Sequence, residues 1–266
     1  MTNFCVYSHT DYIDILRIQT DYVFKASFPT VESLLPPGVR GYMTLFINKC
    51  DYDEHADIFL HYDRVVFYDD TKPYASRLLE CLNQITDKYI LLIHDIDILL
   101  NIDYNTVNQF YRFLEDNSYD RVDLKYTNNF WSPLVVEWPD HDIRLVKNDN
   151  IGDYIYNVNP SIWNRESFIK MLNIFPDKTY RDIECHDVQV FCQKNFNTFR
   201  LNSSNLVRCG YFACVPQFQF LHISHGGKLL PLNSSFITHD GQSYADIKDI
   251  YIDILQKYKP VIGKTV

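Results

Sequence analysis

Five consecutive apolar or aromatic residues, Tyr89 to Ile93, break abruptly into His94, Asp95, Ile96 and Asp97. This is the pattern of a strand buried on both faces that carries two carboxylates to its C-terminal end. Phe4 to Ser8, Tyr42 to Ile47 and Arg64 to Tyr68 predict three earlier strands, each followed by polar or turn-forming residues. Between the strands the apolar period lengthens. Tyr12, Ile15, Ile18 or Gln19 and Tyr22 recur at helical spacing, with Thr10 or Asp11 as the cap; Leu78, Leu82 and Ile85 do so again after Pro73. Asp51 to Asp57 reads as an acidic loop. Strands alternating with helices over roughly the first hundred residues predict a parallel sheet with right-handed crossovers and a central Asp-x-Asp strand.

The second half is less regular. A helix is expected from Asn105 or Thr106 through Val107, Phe110 and Leu114, then a strand over Arg121 to Tyr126. Residues 127 to 150, with Trp131, Pro133, Trp138 and Pro139, suit a hairpin or long loops that shape a pocket. Asn159 to Asn164 reads as a bend or short strand, and Asn164 can cap a helix bearing Phe168, Leu172 and Phe175. Asp182, Glu184 and Asp187 are expected in the first turn of a further helix that turns Val188, Phe191 and Cys192 inward. A strand over Phe218 to Leu221 leads into His222, His225, Gly226, Gly227 and Lys228, and Ser243 with Asp246 resembles a capping box before a last helix. No repeat or interdomain linker interrupts the chain. The expectation is one compact domain over 1–266, with a nucleotide-binding half over about 1–100 and an acceptor half over about 101–266.

Composition narrows the partners. The 266 residues, 46% hydrophobic, can fill one large core, and a formal net charge of -9 argues against a general nucleic-acid or acidic-membrane binder. Seven cysteines without a Cys-x-x-Cys pair look like reduced thiols, which suits the cytoplasm. The start lacks a signal-peptide pattern, and no run approaches the roughly 18 apolar residues of a bilayer span.

Three polar clusters stand at the edges of apolar segments: Asp95 with Asp97, Asp182 with Glu184 and Asp187, and His222 with His225 and Lys228. On an extended strand Asp95 and Asp97 point the same way and can share one hard cation or its phosphate ligands; the plainer alternative is a polar turn after a buried strand. Acids at a helix start also have a plain role, offsetting the helix dipole. Taken together, two carboxylates and an imidazole can hold Mn²⁺ or Mg²⁺ and leave positions open for diphosphate oxygens, Lys228 can neutralise more phosphate charge, and a further carboxylate can deprotonate a hydroxyl. That combination suits glycosyl transfer. The histidines lack the spacing of a helical zinc site. Ser8, Asp11, Asp69 and Arg77, at strand exits or on the following helix, are candidates for the nucleotide.

In their order, Ser8 to Tyr12, Tyr89 to Asp97, Asn159 to Trp163, Asp182 to Glu184 and His222 to Lys228 resemble GT-A-fold glycosyltransferases, most nearly small enzymes of bacterial and large-DNA-virus polysaccharide synthesis. The resemblance implies a Rossmann-like, mixed and mainly parallel sheet flanked by helices. It implies a nucleoside-diphosphate sugar donor, favouring a UDP-sugar, and a glycan or other hydroxyl acceptor. It assigns Asp95 and Asp97 to metal and donor diphosphate, with Asp97 the direct ligand. His222 or His225 becomes the C-terminal metal or phosphate contact, and Glu184, with Asp182 as substitute, the base of an inverting displacement. Arg181 stands where the family often has an aromatic residue, and Leu229 where it often has Trp. Two alternatives compete: a haloacid-dehalogenase-like phosphatase with Asp95 as nucleophile, and a carbohydrate-binding protein without catalysis.

Overall fold

The apolar runs and their helical partners build a sheet with a helix layer on each face. In the computed structural model, residues 3–18, 42–95, 97–126, 134–138, 143–150, 154–203, 207–209, 212–215, 217–222, 224–225 and 228–229 are described. In chain order the first half comprises β1 (Asn3–Tyr7), α1 (Ile13–Ile18), β2 (Tyr42–Asn48), α2 (Ala56–Phe59), β3 (Arg64–Tyr68), α3 (Tyr74–Leu82), β4 (Tyr89–His94), β5 (Asp97–Ile102) and α4 (Tyr104–Asn117). The second half adds β6 (Arg121–Tyr126), β7 (Leu134–Trp138), β8 (Ile143–Lys147), β9 (Ser161–Asn164), α5 (Arg165–Ile174), α6 (His186–Asn195) and β10 (Thr198–Asn202). Short strands follow: β11 (Val207–Cys209), β12 (Phe212–Cys214), β13 (Phe218–His222), β14 (Ser224–His225) and β15 (Lys228–Leu229).

The main sheet has nine strands in the order β3-β2-β1-β4-β9-β6-β10-β8-β7. From the pairings, β8 and β9 run against the other seven. This is the mixed, mainly parallel, Rossmann-like sheet flanked by helices that the sequence predicts. β4 is buried along its whole length, as its unbroken apolar run requires.

Side-chain alternation sorts each strand between two layers. Phe4, Leu91, Ile93, Val122 and Leu124 face one core with Val107, Phe110 and Leu114 of α4. Cys5, Tyr7, Ile90, Leu92 and Trp163 face the other, with Leu78 and Leu82 of α3, Phe168 and Leu172 of α5, and Val188 and Cys192 of α6. Leu78 and Leu82, four apart on α3, share one helix face, which explains why both are fully buried.

Several expectations are corrected. The strand carrying the Asp-x-Asp ends at His94; Asp95 lies in a turn and Asp97 opens β5, so period-two alternation does not relate the two carboxylates. His9, not Thr10 or Asp11, caps the first helical turn, its Nδ1 accepting from the Asp11 N–H at 3.1 Å. The acidic loop holds a 3-10 turn over Asp53–His55 and then α2. Asp182 and Glu184 precede α6 and leave Asp187 alone among acids in its first turn. The hairpin after β6 exists as β7 and β8, and Asn164 caps α5 by accepting from the N–H groups of Glu166 and Ser167. The capping box at Ser243 lies outside the described residues.

The second core layer contains charge. Arg121, Asp123 and Lys125 alternate along β6 toward that layer, and Arg121 and Asp123 are fully buried. Arg121 stacks over Trp163 at 5.1 Å and Tyr156 at 5.7 Å, and its guanidinium lies 3.8 Å from the Asp123 carboxylate, which Arg200 also approaches at 3.4 Å. Removing Arg121 takes a charge partner from the buried Asp123 and a donor from the Ile155 and Asn157 carbonyls. Arg121→Ala is therefore expected to lower stability by about 3–5 kcal/mol, read from urea unfolding.

Candidate functional site

The carboxyl ends of β1, β3 and β4 open onto a cavity of about 470 Å³, lined also by Thr179 and Tyr180 from the segment before α6. Ends of parallel strands are where an open α/β sheet leaves a crevice, because each chain turns away there into its crossover. Ser8, Asp11, Arg77 and Asp95 of the candidate set line this cavity together. Asp69 does not. Its carboxylate instead accepts from the Thr71 N–H at 3.1 Å and the Thr71 hydroxyl at 2.7 Å, which holds its pKa below the ordinary value while closing a turn.

Asp95 is fixed by the neighbouring strand. Its N–H donates to the Tyr7 carbonyl at 3.0 Å, continuing the β1–β4 ladder, and its Oδ2 accepts from the Ser8 hydroxyl at 3.0 Å and the His9 N–H at 3.4 Å. Ser8 is itself held from β3, where the Tyr68 hydroxyl donates to its carbonyl at 2.6 Å. Arg77 lies over the Tyr68 ring at 5.8 Å and donates through Nε to the Lys72 carbonyl at 2.5 Å and through a terminal nitrogen to the Asp70 carbonyl. It is thereby braced at the cavity wall. Asp11 is the most exposed of the group, its carboxylate 3.4 Å from the His9 ring, whose other nitrogen lies 3.5 Å from Asp70.

Asp97 is 1% exposed, and the β5–β13 register sets its Cα opposite that of His222. His225 pairs with Lys228 in the β14–β15 ribbon. The backbone thus brings His222 to the Asp-x-Asp turn; the side chains of His222, His225 and Lys228 lie outside the described ones. Among the described residues no three His, Cys, Asp or Glu side chains form a group able to hold a metal ion. Two carboxylates suit an open, hard-cation position whose other ligands are phosphate oxygens and water.

Glu184 belongs to the same end of the sheet. Its Oε1 accepts from the Val158 N–H at 2.7 Å, in the segment that enters β9, and its carbonyl accepts from Gln189 of α6 at 3.1 Å. Partial burial raises its pKa above the ordinary 4.5, against the opposing pull of the Val158 bond, Arg121 and Lys125. Lys125 is shifted down by its own burial, with Asp123, Glu184 and Asp97 pulling the other way. Asp182, the substitute base, is exposed and accepts from the Thr179 hydroxyl at 2.6 Å.

Tyr180 joins the two sides. Its ring meets Tyr74 edge-on at 5.2 Å and His94 at 5.5 Å, and its phenol is held neutral first by lost hydration and then by the carboxylates of Asp97, Asp95 and Glu184. Tyr74 in turn shares a 2.7 Å hydrogen bond with His94 Nε2. These aromatic residues escaped notice in the sequence because an isolated Tyr carries no spacing signal. Arg121, Asp123 and Lys125 did leave one, a period-two charge pattern inside a strand.

No family model matches this chain, and no curated protein matches it by sequence. Solved structures similar to it include a cytidylyltransferase from Leptospira borgpetersenii, with 11% identity over 98% of this chain and 96% of that one, at a TM-score of 0.46. Another is S. aureus TarS in complex with UDP-GlcNAc, with 12% identity over 97% of this chain and 66% of that one, also at 0.46. The 4-diphosphocytidyl-2C-methyl-D-erythritol synthase from Anaerococcus prevotii shares 13% identity over 77% of this chain and 89% of that one, at 0.45. The fold class rests on the strand order and directions given above. No helix among the described residues is long and apolar enough to cross a membrane.

Proposed function

We propose that this chain is a metal-dependent glycosyltransferase that moves a sugar from a nucleoside-diphosphate sugar, with a UDP-sugar favoured, to a hydroxyl of a glycan or similar acceptor, with inversion. What supports this is that Glu184, a half-buried carboxylate with a raised pKa, and the buried pair Asp95 and Asp97 all act on the same Tyr180 phenol at the cavity wall. A cavity of about 470 Å³ with an arginine at its wall is of a size for a nucleotide.

In this scheme Ser8, Asp11 and Arg77 bind the nucleotide end, and Asp97 with Asp95 and one of His222 or His225 holds Mn²⁺ or Mg²⁺. When bound, such an ion neutralises charge building on the departing diphosphate. Lys228 adds a further cation there. Glu184 takes the proton from the acceptor hydroxyl; the freed oxygen pair forms the new bond to the anomeric carbon, and the pair of the broken bond leaves on the diphosphate. A single displacement of this kind inverts the centre. Glu184 is preferred to Asp182 because partial desolvation lifts its basicity, whereas Asp182 is exposed and already serves the Thr179 turn.

Nucleotidyl transfer is the contrasting chemistry on a sheet of this class, and products separate the two. Incubated with Mn²⁺ and UDP-, GDP- or dTDP-sugars, the protein is expected to release the nucleoside diphosphate. Release of pyrophosphate from CTP in place of that product would overturn the proposal.

A further inference from the structure

Beneath Glu184 lies a set of buried polar contacts that the donor cavity does not use. We propose that Asn157, clamped between Arg121 and Asp123, is a positioning residue for Glu184: it fixes the Val158 N–H against the Glu184 carboxylate and so aims that carboxylate at the acceptor. The inference rests on the assignment of Glu184 as base made above.

Asn157 is 5% exposed, and its amide has one tolerated orientation. Oδ1 accepts from an Arg121 terminal nitrogen at 2.9 Å and from the Asn159 N–H at 3.1 Å, while Nδ2 donates to Asp123 Oδ2 at 2.5 Å. A flipped amide would set its hydrogens against a guanidinium and its oxygen against a carboxylate. The main chain around it is tied as firmly. Arg121 donates to the Ile155 carbonyl at 2.5 Å and the Asn157 carbonyl at 3.2 Å, and Gln189 bonds both the N–H and the carbonyl of Tyr156 at 2.8 Å.

Val158 follows directly, so three tied residues set the direction of its N–H. The 2.7 Å contact to Glu184 is short for an N–H donor, as expected when the acceptor is a carboxylate. Gln189 also holds the Glu184 carbonyl, so the main chain and side chain of Glu184 answer to one framework. Among the described residues Oε2 has no protein donor, which leaves it for an incoming hydroxyl. A buried Arg–Asp pair is a poor device for stability, since well-packed apolar residues do as well, and the geometry it imposes on Asn157 accounts for its presence here. Facing Glu184 are Arg121, Asp123 and Lys125 from β6, with Tyr156 and Tyr180 from the flanking loops.

Asn157→Leu keeps the approximate volume and removes all three contacts of the side-chain amide. With the Glu184 carboxyl carbon labelled and identified by its loss in Glu184→Gln, its titration midpoint in Asn157→Leu is expected to move upward, because the bond that favours the charged form is lost. Turnover of a nucleotide sugar should fall about 10- to 100-fold, the usual consequence of a misplaced reacting group, with the nucleotide-induced thermal shift unchanged. In the Glu184→Gln background Asn157→Leu should cost nothing more. An unmoved midpoint, or losses that multiply across the two variants, overturns the proposal. Should Asn157→Leu fail to fold, Asn157→Ser, with a hydroxyl that can still accept from Arg121, takes its place with the same expected directions. Retained turnover in Glu184→Gln would remove the base assignment instead, and the titration would still decide whether Asn157 holds Glu184.

Discussion

Glu184→Gln is expected to lower turnover by about 10²–10⁴-fold, the range for loss of a general base, while nucleotide binding stays intact. The amide keeps an oxygen for the Val158 N–H and loses the site that takes the proton. Stability should move in the opposite direction to activity. The folded-state pKa of Glu184 is raised, so the folded protein binds that proton more tightly than the unfolded chain. The resulting stabilisation is complete below the unfolded pKa and is lost as pH rises through the folded one. At neutral pH the ionised carboxylate is therefore a burden that glutamine removes. A melting temperature equal to or above that of the native protein, with turnover lowered by that factor, is the expected pair of results. In the native protein the acidic limb of the turnover profile should lie above the ordinary glutamate value of 4.5.

Asp97→Ala is expected to remove the metal-dependent part of both binding and turnover, lowering the rate by about 10²–10³-fold or more, as when a group that stabilises developing charge is lost. Asp97 is 1% exposed at the mouth of β5, with the β13 backbone opposite, so the loss is local to the turn between β4 and β5. The matched measurement is a titration of Mn²⁺ in the presence of UDP, by calorimetry, on the native and variant proteins. Equal affinity in the two would reject Asp97 as a ligand.

Much of the sheet was legible because its strands are short, apolar and bounded by turn residues. β2, β3 and β6 fall within a residue or two of where the alternation and apolar runs set them, and β4 starts where its apolar run does. β9 was legible only as a bend or short strand, and its place antiparallel between β4 and β6 was not, since a four-residue segment carries too little pattern to announce its neighbours. β5 was hidden for a related reason. The polar Asp95 and Asp97 read as the end of one strand, whereas the chain turns between them and Asp97 begins another.

The candidate site divides in the same way. Residues at strand exits, Ser8 and Asp95 among them, were legible because position in a parallel sheet follows from the strand pattern. Asp69 shares a strand exit but does not line the cavity, since its carboxylate closes its own turn through Thr71, a contact made two residues away. Glu184 was legible as an acid near an apolar helix, but its desolvation and its bond to Val158 come from a segment 26 residues distant. Long-range contacts of this kind leave no local period to read.

The central claim, that the cavity at the ends of β1 and β4 takes a nucleotide together with a divalent cation, is tested most directly by thermal unfolding of the native protein with UDP-, GDP- and dTDP-sugars, each with and without Mn²⁺. A true donor at about a hundredfold excess over its Kd stabilises the folded state by about 2.7 kcal/mol. The predicted result is a rise of several degrees for one nucleotide class that requires Mn²⁺ and is absent in Asp97→Ala. No metal-dependent shift with any of the three would contradict the claim.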